Sequence, residues 1–201
     1  MGTVERKERE KKEMKELILK AALKLFIKEG YDKLSIRKIA NEIEYSPGTI
    51  YLYFKDKDEI FFELHNQGFG EFYKRQLAVQ HIKDPVERLV AHGREYIKFA
   101  MENPEYYDLM FIMRSPVKKI KHFEDWELGF RTYDILKKNI SELQKAGRFK
   151  GEDIEVVAFS LWSYTHGISS LFVRERLKVI PKDQLKILVD GALEFLRKRL
   201  L

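Results

Sequence analysis

Four side chains in one short stretch carry the chemistry of this sequence. Ser46–Lys57 reads SPGTIYLYFKDK. At about 100° per residue, Ile50 and Phe54 stack on one side of a helix, with Pro47 and Tyr51 on its flank. Gly48, Thr49, Leu52 and Tyr53 then point away from the core, with Lys55 and Lys57 just beyond. A surface helix ordinarily puts Lys and Glu there. A backbone-baring glycine, a small hydroxyl, an apolar group and a phenol suit a partner that is polar, partly apolar and anionic. The major groove of double-stranded DNA is such a partner, offering thymine methyls, base-edge acceptors and phosphates. In that reading Gly48 permits close approach, Thr49 and Tyr53 reach bases or phosphates, Tyr51 reaches phosphate, and Leu52 meets a thymine methyl. The same pattern also fits a plain helical hairpin with a few exposed aromatics.

Two short helices must position that face. Ser35 is an N-cap, and Ile36, Ile39, Ala40 and Ile43 fall at helical spacing behind it. The turn is Glu44-Tyr45-Ser46; Ser46 caps the second helix, and Pro47 takes its first position, where a missing N–H costs nothing. Two helices across a three-residue turn form a helix-turn-helix. Ser35, at a helix start, can offer its hydroxyl and backbone N–H to phosphate.

Residues 17–64 resemble the TetR/AcrR transcriptional regulators. The resemblance rests on A-x-x-L-F before E-G-Y, on S-I-R-x-I-A, and on S-x-G-T-I-Y-x-Y-F-x-x-K-D. It implies an all-α homodimeric DNA-binding regulator with a C-terminal ligand-sensing and dimerisation domain. It also implies that Arg37 lies near the groove, within reach of a guanine edge, and that Lys57 binds phosphate. Glu44 departs from the family pattern, where glycine is common; a left-handed backbone there costs a non-glycine residue about 1 kcal/mol.

At 201 residues the chain can bury a sizeable core. Charged residues make up 35% and hydrophobic ones 44%, a Lys- and Glu-rich, thermophile-like composition. Cysteine is absent, which excludes disulfides and thiolate metal sites. The five histidines show no metal-ligand spacing, so no metal and no cofactor is expected. A charged N-terminus and the lack of an apolar run of about 18 residues predict a soluble, cytoplasmic protein with no membrane partner. No nucleophile elbow, phosphate-cradling loop or spaced carboxylate set points to an enzyme. The net charge of +6 is spread out, since residues 1–60 hold 14 basic and 12 acidic side chains. The arm Glu5–Glu16 alternates acid and base. It reads either as a solvated helix extension or as a place where Arg6, Lys7 or Lys11 touches phosphate.

Nine helices and no strand are expected. After the arm, Ile18, Ala22, Leu25 and Phe26 make an apolar stripe that Gly30 ends. Beyond the motif, helices are expected at 58–80 with Gly68 and Gly70 as bend points, from Asp84-Pro85 to 102, and from Asn103-Pro104 to 113. After a break at Ser115-Pro116 they resume at 124–146, 153–177 and 182–199. The expected domains are 1–57, arm and helix-turn-helix, and 58–201, effector binding and dimerisation.

Tyr96, Phe99, Tyr107, Phe111, Trp126 and Phe130 form an adaptable aromatic set, suited to a small apolar or aromatic effector. Trp162 and His166 fall in a W-x-x-x-H-G segment resembling one group of TetR-like C-terminal domains. His166 reads first as a buried, hydrogen-bonded histidine and second as a ligand contact. Helix 153–177 is apolar nearly all round, and with the last helix it supplies the homodimer candidates Phe159, Leu171, Leu188, Leu193 and Leu196. A sequence-independent architectural DNA binder is the competing class; it predicts similar affinity for all duplexes.

Overall fold

The computed structural model describes residues 2–114, 118–122 and 126–200. Among them are nine helices and no strand: α1 Thr3–Glu29, α2 Ile36–Glu42, α3 Pro47–Tyr51, α4 Lys57–Ala78, α5 Pro85–Glu102, α6 Pro104–Phe111, α7 Glu127–Lys145, α8 Ile154–Val173 and α9 Lys182–Leu200. The expected break at Ser115-Pro116 and the expected start of α7 at Glu124 lie outside the described residues.

The chain divides into two compact units. One comprises Met1–Gln67 with Leu109–Asp125, the other Gly68–Asp108 with Trp126–Leu201. The division falls inside α4, a single continuous helix, rather than at its start. In the first unit, Ile18, Ala22 and Leu25 of α1, Ile39 and Ala40 of α2, and Ile50 and Phe54 around α3 form the core. Phe61 of α4 meets Phe26 and Tyr31 edge-on, at 5.4 and 4.8 Å.

The second unit is built on α5. Asp84 caps it by accepting from the N–H groups of Val86 and Glu87, and Pro85 occupies its first turn. Val86 and Leu89 pack with Ile140 and Leu143 of α7 and with Val157, Ala158 and Leu161 of α8. Val90 and Ile97 pack with Leu193 of α9. A β-carbon on Gly93 would meet Leu193 at 3.2 Å and Thr165 at 3.3 Å, so glycine lets α5 run close to both helices. Arg88, itself buried, donates through Nε to Asn139 Oδ1 at 2.7 Å and pairs with Glu142; Asn139 donates to the Pro85 carbonyl at 3.2 Å. Arg88 and Asn139, both buried, thereby find partners.

Helix ends fall where backbone carbonyls find donors. After α2, Tyr45 N–H donates to Ala40 O at 2.9 Å and Glu44 N–H to Asn41 O at 3.2 Å, with Glu44 at φ 60°. This is a Schellman motif with glutamate in the left-handed position. Gly147 (φ 86°) closes α7 in the same way. α8 ends at Val173, short of the expected Leu177, because Glu175 turns left-handed at φ 53° and Arg176 N–H donates back to Leu171 O at 3.0 Å.

By length and composition alone α8 is long and apolar enough to cross a membrane, with Glu155 its one side chain from Asp, Glu, Lys or Arg. Val157, Ala158, Leu161, Thr165 and Ser169 are nonetheless buried in the second unit.

Candidate nucleic-acid interface

α2, its turn and α3 make the helix-turn-helix. Ser35 accepts from Lys38 N–H at 3.3 Å, and Ser46 accepts from Thr49 N–H at 3.2 Å, so both caps are engaged. Ile50 and Phe54 anchor the second helix in the core, and this sets which residues face water. Leu52 is 78% exposed and Tyr51 57% exposed, two large apolar-bodied groups where an ordinary surface would be charged. Gly48 is exposed, with no neighbour but the Ser46 hydroxyl within 4 Å of a built β-carbon. Thr49 and Tyr53 are half-buried, and the Thr49 hydroxyl lies 3.1 Å from that of Ser46. Ser46 is exposed, and Pro47 is half-buried at the first helical position.

The cations around this face divide. Arg37 and Lys55 are exposed. Lys38 pairs with Glu29 at 2.5 Å, and that hydrogen bond holds the Glu29 carboxyl below its ordinary range. Lys57 turns inward. Its Nζ donates to the carbonyls of Tyr31 (3.0 Å) and Leu34 (3.2 Å) and lies 3.8 Å from the Tyr31 ring centre. Two of its three donors thus satisfy the loop between α1 and α2, while the Tyr31 hydroxyl bonds to Asp58. Asp56 caps α4 by accepting from Glu59 N–H at 2.7 Å and pairs with Lys119 at 2.8 Å; the lysine draws its carboxyl below the ordinary range. No local pattern announces the Lys119 contact, which joins positions 63 apart.

In the second unit, four of the aromatic candidates gather around one ring. The Tyr107 hydroxyl lies 2.8 Å from His166 Nδ1, the Tyr96 hydroxyl 3.3 Å from the same atom, and Trp162 Nε1 donates to Tyr96 at 3.1 Å. Burial pushes both phenols above their ordinary pKa and His166 below its own, so all three are neutral near pH 7. Trp126 stacks edge-on with Phe130 (4.9 Å) and Phe69 (5.6 Å) as a second aromatic group. Its indole lies over Gly129, where a β-carbon would clash with the ring, and its buried N–H has no partner among the described residues. Phe99 is buried against Phe72, with ring centres 5.2 Å apart. Phe111 falls in the first unit, apart from the other seven in the division of the chain.

The dimer candidates also divide. Phe159, Leu171 and Leu188 are exposed at 61%, 46% and 54%. Leu193 is fully buried against Val90 and Ile97 and so has no surface to offer a partner, while Leu196 packs on the core around Leu89 and stays partly exposed. Ile187 and Phe195, which spacing had not singled out, are exposed on α9 instead. No group of three potential metal ligands occurs among the described residues.

A capped helix-turn-helix in one unit and an all-helical second unit with a buried aromatic–imidazole cluster define a class, helix-turn-helix proteins with a separate helical domain. Residues 18–64 match the model for bacterial regulatory proteins of the tetR family, and residues 89–196, more than half the chain, match a tetracyclin repressor-like C-terminal domain. The chain belongs to the TetR family. The HTH-type transcriptional regulator HbdR of Aromatoleum sp. is 39% identical over 79 residues, 38% of this chain and 34% of its own. The HTH-type transcriptional repressor Rv1474c of Mycobacterium tuberculosis is 43% identical over 113 residues, 56% of this chain and 54% of its own. The chain matches only 24% to 33% of the length of three other curated relatives. Among solved structures, the fatty acid degradation regulator FadR of Bacillus halodurans shares the fold with a TM-score of 0.69 at 19% identity, covering 90% of this chain and 93% of its own. AibR in complex with isovaleryl coenzyme A and operator DNA does so with a TM-score of 0.67 at 22% identity, covering 90% and 96%.

Proposed function

We propose that this chain is a sequence-specific transcriptional regulator, a repressor that leaves a palindromic operator when a small apolar or aromatic ligand binds. Residues 1–57 form its DNA-binding domain, and residues 58–201 bind effector and dimerise. The observation that carries the reading is the outward face of α3. An exposed Gly48 and Leu52, flanked by Thr49 and Tyr53 over a buried Ile50, offers hydrogen bonds and apolar contact where a purely electrostatic binder would offer Lys and Arg.

The homodimer follows from the exposed apolar groups of α8 and α9. Phe159 and Leu171 on one helix, and Ile187, Leu188 and Phe195 on the other, are large apolar groups left in water by a single chain, which supports a partner surface there. A twofold dimer places two recognition helices on half-sites about 34 Å apart, or a multiple of that. The effector site is the cluster of Tyr96, Tyr107, Trp162 and His166 with the Trp126–Phe130 group, whose indole N–H has no partner among the described residues and suits a ligand carbonyl or other acceptor. AibR, of the same fold, was solved with a thioester of an apolar acid and with operator DNA, which supports a chain of this architecture taking both kinds of partner. α4 runs from the first unit into the second and is the covalent route by which ligand changes recognition-helix spacing. A coupling of about 1–3 kcal/mol suffices to change occupancy severalfold or more.

Selection of bound duplexes from a random pool tests this reading. It should return one sequence with twofold symmetry and fixed half-site spacing. A pool that stays random while binding protein would indicate the architectural class instead.

A further inference from the structure

The acid–base alternation of the N-terminal arm disappears when it is wound into a helix. α1 is helical from Thr3, and the Glu5 carboxylate accepts from Gly2 N–H at 3.0 Å at its start. At about 100° per residue, Lys7, Lys11 and Lys15 fall within the same arc of about 80° as Ile18, Ala22 and Leu25. They therefore extend the core-facing side of α1 beyond the core, since residues 4–13 are all exposed and Ile18 is the first buried position. The carboxylates of Glu5, Glu10, Glu13 and Glu16 lie away from this arc, and Glu8 falls at its edge, about 20° beyond Lys15. Two of them are neutralised in place, by Arg6–Glu10 at 3.2 Å and Arg9–Glu13 at 3.6 Å. Among the described residues no ion pair holds Lys7, Lys11 or Lys15. Instead, Lys15 Nζ lies 5.3 Å from the ring centre of Phe54, the residue that follows Tyr53.

The lysine row thus begins beside the end of the recognition segment and runs outward along α1. From Lys15 to Lys7 it covers about 12 Å, the axial span of three to four phosphates on one strand. Lys7, Lys11 and Lys15 line the side shared with the helix-turn-helix, with Glu8 the one carboxylate at its edge, while Arg6 and Arg9 pair with glutamates on the far side.

We propose that the N-terminal extension of α1 is a second DNA contact, its Lys7–Lys11–Lys15 row lying on backbone phosphates that flank the bases met by α3. The inference rests on the DNA-binding reading above and adds a surface outside the helix-turn-helix. It assigns Lys7 and Lys11 to phosphate and leaves Arg6 to its glutamate. Contacts of this kind position without specifying, so they strengthen binding to any duplex.

The full chain is titrated with the selected operator and with a scrambled duplex of equal length, over about 0.05–0.3 M salt. Two variants are compared, Lys7→Gln/Lys11→Gln and the charge-matched Arg6→Gln/Arg9→Gln, both at exposed positions. The first removes two lysines from each of two subunits, so the slope of log K against log salt should become shallower by about 3.6 for the dimer, equally on both duplexes, leaving their affinity ratio unchanged. The second should leave the slope at its wild-type value. A wild-type slope in Lys7→Gln/Lys11→Gln, or an equal loss in both variants, overturns the proposal. The wild-type ratio between the two duplexes reports separately on sequence-specific recognition, so that reading and the arm contact can fail independently.

Discussion

The Tyr107 hydroxyl lies 2.8 Å from Nδ1 of His166 and 3.2 Å from the His166 carbonyl oxygen, with the two rings stacked at 27°. One phenol thereby fixes both the ring and the backbone of a histidine in the middle of α8. Tyr96 approaches the same nitrogen and is itself held by Trp162. Tyr107→Phe should lower stability by about 1 kcal/mol in urea unfolding. Because the two phenols address one atom, adding Tyr96→Phe should cost measurably more or less than the sum of the single losses. Strictly additive losses would mean the four side chains do not act as a unit.

The recognition face and its supporting lysine should separate in experiment. Leu52→Ala removes an exposed group, so stability should move by less than about 0.5 kcal/mol. Discrimination between operator and mismatched duplex should fall at one base position by about 1–3 kcal/mol. Lys57→Gln should behave the other way. Its ammonium satisfies the Tyr31 and Leu34 carbonyls, so the loss appears first in the melting temperature. A Lys57→Gln protein that melts like wild type but binds DNA poorly would point to the phosphate role expected from family resemblance.

Glu44→Gly tests the strain in the turn. Glutamate at φ 60° carries a left-handed penalty of about 1–2 kcal/mol, partly offset because glycine loses more backbone entropy on folding. A net gain of up to about 1 kcal/mol is expected in thermal or chemical unfolding. Equal stability would place the two effects in balance and remove the turn as a source of strain.

These cases mark what was readable in the chain. The helix-turn-helix was legible because period, caps and a proline at the first helical position all agree locally. The Schellman turn at Gly147 was legible from its glycine, and the one at Glu175 was not, so α8 was expected to run on. Leu193 and Leu188 have the same residue type and both fit the helical period of α9. Only packing against Val90 and Ile97 buries the first and leaves the second in water. The inward aim of Lys57 depends on carbonyls 23 and 26 residues earlier, a relationship that no local pattern carries.

That difference on α9 gives a matched pair of variants. Phe159→Glu with Phe195→Glu places charge on exposed positions and should yield folded monomers in sedimentation, with helical content unchanged. Leu193→Glu buries a carboxylate without a partner and should unfold the second unit. A double glutamate variant that stays dimeric would remove α8 and α9 from the interface.

His92 makes stability depend on pH. It is buried, with Nδ1 bonded to Gln76 Oε1 and Nε2 2.7 Å from Gln80 Nε2. A neutral ring fits this pair, donating at Nδ1 and accepting at Nε2, whereas a second proton would face an amide donor. Burial first, and the nearby Arg88 charge second, lower its pKa from 6.5 to about 4. The unfolded chain therefore takes up a proton below pH 6.5 that the fold refuses. The stabilisation is complete above that value and is lost progressively as pH falls toward 4. Between pH 7 and pH 5 the loss from this residue should be about 2 kcal/mol. His92→Gln should be less stable than wild type at pH 7, and the gap should narrow by that amount at pH 5, read from urea unfolding at both values. A gap independent of pH would show that His92 titrates alike in both states and that its glutamine cage exerts no preference for the neutral ring.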